Sequence, residues 1–104
     1  MTDGNWQQVA KADDIKADEP IKVTCGTEEI ALFHVDGEIF ATHNICTHAY
    51  ASLADGFQDG AEVECPLHEG RFNVKNGRAL CAPVTEGLKT YEVKVDNGAV
   101  FVKV

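Results

Sequence analysis

Basic residues are scarce in this chain of 104 residues: nine lysines and arginines face seventeen aspartates and glutamates, for a formal net charge of −8. That shortage argues against nucleic acid and anionic membranes as partners, since both attract cationic surfaces. Long apolar runs are missing as well, and none approaches the roughly 20 residues of a membrane span. The opening MTDGNWQQ lacks the basic-then-apolar pattern of a secretory leader, so the cytoplasm is the expected compartment. Without a leader, four cysteines argue against a disulfide framework. Helical periodicity is nearly absent. The one candidate is the short KADDIKA stretch from Lys11 to Ala17, with Asp13 or Asp14 as its possible cap.

What is present suits one domain with a modest core. The charge is unevenly spread: residues 1–64 hold 13 acids and 3 bases, and residues 65–104 hold 4 acids and 6 bases. The acidic part is either a solubilising surface or a face that steers docking to a basic partner.

The ends of the chain read as β-strands. PIKVTC, EIALFHV and EIFATH are rich in β-formers, and Asp36-Gly37 between the last two is a two-residue hairpin signal. In LKTYEVKV, Tyr91, Val93 and Val95 alternate with Thr90, Glu92 and Lys94. Asn97-Gly98 then turns the chain into AVFVKV, where Val100, Val102 and Val104 share a face. A further Asn76-Gly77 step follows GRFNVK. Between about Ala41 and Pro83 the strand pattern gives way to loops, so the middle reads as an insertion at one end of a β-framework.

Those loops carry the chemistry. Cys46 and His48 form a Cys-x-His pair; after sixteen intervening residues, Cys65 and His68 form a Cys-x-x-His pair. Two thiolates and two imidazoles satisfy either a tetrahedral zinc ion or an iron–sulfur cluster. Zinc fingers usually pair Cys with Cys and His with His, often with one pair on a helix. Here each loop supplies one of each, and Pro66 and Gly70 argue against a helix at the second. The doubled arrangement favours a [2Fe–2S] centre held between two loops. Cys25 and Cys81 have no such neighbours and read as small buried hydrophobes.

The sequence resembles the Rieske ferredoxins, and in particular the small ferredoxins of bacterial aromatic-ring dioxygenases of the naphthalene type. The likeness is densest in CTH, in EVECPLHEGRFNV, in NGRALCAPV and in KTYEVKV. It implies an all-β fold: a Rieske-type β-sandwich base with a small cluster-binding subdomain over about residues 41–83. By the same resemblance Cys46 and Cys65 ligate one iron of a [2Fe–2S] cluster and His48 and His68 the other. CAPV, from Cys81 to Val84, would be a third loop over the cluster, with Pro83 as a rigid shield. The implied function is a soluble one-electron carrier between a ferredoxin reductase and the terminal oxygenase, not an enzyme in itself. An oxygenase would need a second, open two-histidine, one-carboxylate iron site. A structural zinc module for protein interaction, a Rieske-like small subunit of another oxidoreductase and a redox sensor stand as alternatives.

The remaining residues near the loops read more plainly. His34 and His43 are structural or exposed histidines, since the ligand set is complete without them. Ala49 stands where relatives commonly have glycine, and Tyr50 follows it at the cluster edge. Leu67 would help cover the cluster. Glu64, Glu69 and Arg71 read as solvated charges that a partner could contact.

The ligand set also bears on the potential. Two neutral imidazoles in place of thiolates remove negative charge and raise the potential above that of an all-cysteine cluster. High-potential relatives add a disulfide between the ligand loops, which Ala51 and Leu67 preclude here. They also carry serine and tyrosine hydroxyls that donate to sulfur, where this chain has Gly70 and Phe72. With fewer donors to sulfur, the expected potential is at the low end of the Rieske range, around −150 mV. The double change Gly70→Ser with Phe72→Tyr is expected to raise it; a redox titration showing no rise would remove this explanation.

Overall fold

The computed structural model describes residues 6–46, 51–66, 70–80 and 87–103. Its strands in chain order are β1 (Trp6–Lys11), β2 (Ile21–Cys25), β3 (Glu28–Val35), β4 (Glu38–His43), β5 (Phe57–Asp59), β6 (Glu62–Glu64), β7 (Arg71–Asn73), β8 (Thr90–Tyr91), β9 (Val93–Asp96) and β10 (Ala99–Lys103). They form three antiparallel sheets, ordered β1-β10-β9, β2-β3-β4-β8 and β5-β6-β7. The first two draw only on the ends of the chain and the third only on its middle.

Turn chemistry sets much of this order. Asp36 and Gly37 both take positive φ (49° and 85°), as do Asn97 and Gly98 (51° and 79°). This is the primed turn whose twist matches the strands it joins. Asn76-Gly77 differs, for Asn76 stays out of the left-handed region. Its side-chain oxygen instead accepts the Arg78 N–H at 2.9 Å, and the Gly77 N–H donates to the Asn73 carbonyl at 2.7 Å, which makes a wider turn.

The expected helix is a single 3-10 turn, Ala12–Asp14, with no side-chain cap. The chain returns to an extended conformation at Ile15, which is buried. LKTYEVKV is not one strand. Tyr91 pairs with Ala41 in one sheet and Val93 with Val102 in another, so the segment changes sheets at Glu92. Its alternation therefore does not hold one face throughout, and Val95 is exposed.

β3 is buried on both faces. Ile30 and Leu32 belong to a base core with Tyr91, Val100 and Val102. Ala31, Phe33 and Val35 belong to a second core with Leu53, Val63, Phe72, Cys46 and Cys65. Gln58 fastens the small sheet to this wall: its side-chain amide donates to the carbonyls of His34 and Gly60, each at 2.9 Å.

A polar clamp ties β8 to the β2–β3 hairpin. The Tyr91 hydroxyl donates to Glu28 Oε1 at 2.6 Å, and Lys89 Nζ lies 3.5 Å from the same oxygen. The Tyr91 bond, followed by the Lys89 charge, lowers the Glu28 pKa. Burial, followed by the bond to Glu28, raises that of Tyr91 above its ordinary 10.0. A phenol whose pKa rises on folding stabilises the fold below its unfolded pKa and loses that contribution as pH climbs through the raised value. A carboxyl whose pKa falls stabilises above its unfolded value and loses that as pH drops through the lowered one. Tyr91→Phe should therefore lower the urea midpoint at neutral pH and make the decline above about pH 10 shallower. Urea titrations of both proteins across that range check this, and parallel alkaline declines would contradict it.

Candidate metal centre

Both candidate ligand loops are closed in the same way. The Cys46 N–H donates to the Ala51 carbonyl at 3.0 Å, and the Cys65 N–H to the Gly70 carbonyl at 2.7 Å. Each bond spans five residues, and each is backed by a pairing one step further out: Ile45 with Ser52, and Glu64 with Arg71. Two loops of equal length thus open from two similar necks, each with a cysteine at its first position. Cys46 and Cys65 are 4% and 1% exposed and lie in one buried cluster.

Asn44 holds the first neck. It is fully buried, and every polar group it has is engaged. Its N–H donates to the Glu29 carbonyl at 2.9 Å, and its carbonyl accepts from the Leu53 N–H at 2.7 Å. Its side-chain oxygen accepts the Ala54 N–H at 3.0 Å, and its amide nitrogen lies 2.9 Å from Ser52 Oγ and 3.5 Å from Glu29 Oε1. One side chain therefore joins both ends of the loop to the β2–β3 hairpin. Sequence reasoning missed it because an asparagine beside a strand end reads as a turn residue.

The stretch that follows the second neck is shaped by close backbone contact. A Cβ on Gly77, which has φ of 77°, would overlap the Leu88 carbonyl oxygen. The Leu88 N–H donates to the Gly77 carbonyl at 2.6 Å, and the Leu80 N–H to the Arg71 carbonyl at 2.8 Å. Leu80 is thereby bonded to β7 and Leu88 to the turn at Gly77.

His48 and His68 lie outside the described residues, as do Ala49, Tyr50, Leu67, Glu69, Cys81 and Pro83. Among the described residues no group of three or more metal-binding side chains converges. His43 ends β4 and donates its N–H to the Lys89 carbonyl at 2.8 Å. His34 sits in β3, with its Nδ1 buried and without a partner among the described residues. Cys25 is buried in the base core, as its sequence context suggested. Arg71 is ion-paired with Glu64 at 3.3 Å and Glu62 at 3.7 Å.

Residues 5–92 match the family model of the Rieske [2Fe-2S] domain, and the chain belongs to that family. It is 50% identical, over 95% of both chains, to the ferredoxin component of the naphthalene 1,2-dioxygenase/salicylate 5-hydroxylase systems of a Ralstonia species. Its fold superposes on the Sphingomonas yanoikuyae B1 ferredoxin with a TM-score of 0.92 and 38% identity, covering 96% of this chain and 99% of the other. It also matches a chain in a complex of reduced oxygenase and oxidized ferredoxin of carbazole 1,9a-dioxygenase (TM-score 0.89, 37% identity, 94% and 92% covered).

The cysteines suit a Rieske centre. A thiolate is costly to bury among apolar side chains unless a cation compensates it, and both cysteines stand at matching points of matching loops. Asn44→Ala would leave buried polar groups at the first neck unpaired, at about 1–3 kcal/mol. It should therefore unfold at lower denaturant and release bound iron faster than wild type. Asn44→Asp keeps the acceptor but faces the Glu29 carboxylate, so it should fall between. Iron release into a chelator checks the ranking.

Proposed function

We propose that this chain is a one-electron carrier that receives an electron from a ferredoxin reductase and delivers it to the terminal oxygenase of an aromatic-ring dioxygenase system. Identity of 50% to a dioxygenase ferredoxin component across nearly the whole of both chains carries this reading. Residues 41–83 form the cluster-binding subdomain and the remainder a β base. Cys46 and Cys65 hold one iron, and His48 and His68 the other. The equal necks at Cys46 and Cys65 support that assignment. The [2Fe–2S] group, when bound, supplies reversible storage of a single electron. Cys46 and Cys65, buried in one cluster, would supply its sulfur donors, and His48 and His68 its nitrogen donors. It carries no substrate chemistry of its own.

The cytoplasm is the proposed compartment, and no helix among the described residues is long and apolar enough to cross a membrane. Transient contact with each redox partner requires only a small interface.

Natively produced protein is expected to be brown and to contain two irons and two acid-labile sulfides per chain. The dithionite-reduced form should give an electron paramagnetic resonance signal with an average g-value below that of all-thiolate clusters. It should also restore turnover to a naphthalene-type oxygenase supplied with its reductase. A colourless zinc protein would end the electron-carrier reading; an all-thiolate spectrum would end the ligand assignment.

A further inference from the structure

The two necks belong to different parts of the fold, yet one backbone contact brings them together. After the first neck the chain makes a 3-10 turn, Leu53–Asp55, and enters β5 at Phe57. In the sequence Asp55-Gly56 has the form of a hairpin turn, like Asp36-Gly37. It is not one. Gly56 has φ of −85° and ψ of −162°, so no left-handed conformation calls for glycine here. Space does. A Cβ at Gly56 would overlap the Glu64 carbonyl oxygen and lie 3.2 Å from the Leu53 carbonyl oxygen. Gly26, Gly37, Gly60 and Gly98 are the opposite case, with positive φ and open space around each.

Both obstacles are main-chain atoms, and neither can swing aside as a side chain would. Glu64 lies on β6, the middle strand of its sheet, paired with Phe57 on one side and Arg71 on the other. Leu53 is fully buried in the core that holds both cysteines. Its N–H donates to the Asn44 carbonyl at 2.7 Å, and its carbonyl accepts the Gly56 N–H at 3.0 Å.

Gly56 thus completes a main-chain route between the cysteines. Asn44 and Leu53 flank the neck that opens at Cys46, and Glu64 immediately precedes Cys65. The Phe57–Glu64 pairing, continued by one residue, sets Gly56 opposite Cys65. A larger residue at 56 would have to push the first neck away from β6, and the two thiols would separate with it. Metal sites tolerate little of this, since ligand distances hold to about 0.2 Å and their supports to about 0.5 Å.

We propose that Gly56 is a positioning residue: by lacking a side chain it lets the first neck lie directly against β6, and so fixes the spacing of Cys46 and Cys65. This rests on the ligand assignment above and adds to it what sets the separation of the two sulfur donors.

The test compares natively produced Gly56→Ala with wild type and with Gly98→Ala, whose added methyl meets only backbone strain in the base. Gly56→Ala is expected to release iron into a chelator about tenfold faster or more, with displaced g-values in the reduced form and a changed potential. Gly98→Ala should lower the urea midpoint and leave g-values and potential as in wild type. Folding of the base is followed by the fluorescence of Trp6 on β1, the chain's single tryptophan. Wild-type g-values in Gly56→Ala would overturn the proposal, even with faster iron release, because destabilisation alone would then account for the loss. A base unfolded by Gly56→Ala would overturn it too, making the glycine a requirement of the whole fold. Wild-type protein without iron would instead overturn the ligand assignment, and this role with it.

Discussion

The burial of β3 on both faces is the constraint on which the molecule rests. Its even residues, Ile30 and Leu32, close the core of the base, while its odd residues, Ala31, Phe33 and Val35, close the core beneath the two cysteines. A strand used in this way cannot slip by one residue without exchanging the two sets. The Asp36-Gly37 turn fixes its register against β4, and β4 leads directly to Asn44 and Cys46. The first candidate ligand loop therefore starts from the most deeply buried strand and its neighbour. The second takes its position from the small sheet, which is fastened to the same strand through Gln58.

Polar groups at the junctions supply definition that apolar packing lacks. Asn44, Gln58 and the Tyr91–Glu28 pair each span elements far apart in sequence, and each ties another part of the chain to β3 or its hairpin. Buried groups of this kind cost little when fully paired and much when one partner is lost. Asn44 acts at the first loop, Gln58 at the small sheet, and the Tyr91–Glu28 pair at the base.

What was legible in the sequence follows from the same physics. β2, β3, β4 and β10 were readable because period-two patterns and Asp-Gly or Asn-Gly turns act locally. Cys46 and Cys65 stood out as a pair because few chemistries use Cys and His at such spacing, and the structure buries both in one cluster. β1 was not, since its pairing with β10 shifts register between Gln8 and Ala10 and breaks the period. β5, β6 and β7 have three residues each, too few to display alternation. The change of sheet at Glu92 was hidden because both halves of LKTYEVKV keep a strand pattern. Asn44 was invisible because its partners, Glu29, Ser52 and Ala54, converge only in three dimensions.

The two loop necks have a bearing on assembly. Each has a closing bond between backbone groups, with Asn44 adding side-chain bonds at the first, and none of these uses a cysteine or histidine side chain. The frame around the prosthetic group can thus be built before iron and sulfide arrive, and insertion becomes a late step on a prepared seat. The paired stems, Ile45 with Ser52 and Glu64 with Arg71, draw their bonds from the polypeptide itself and so do not wait for the metal.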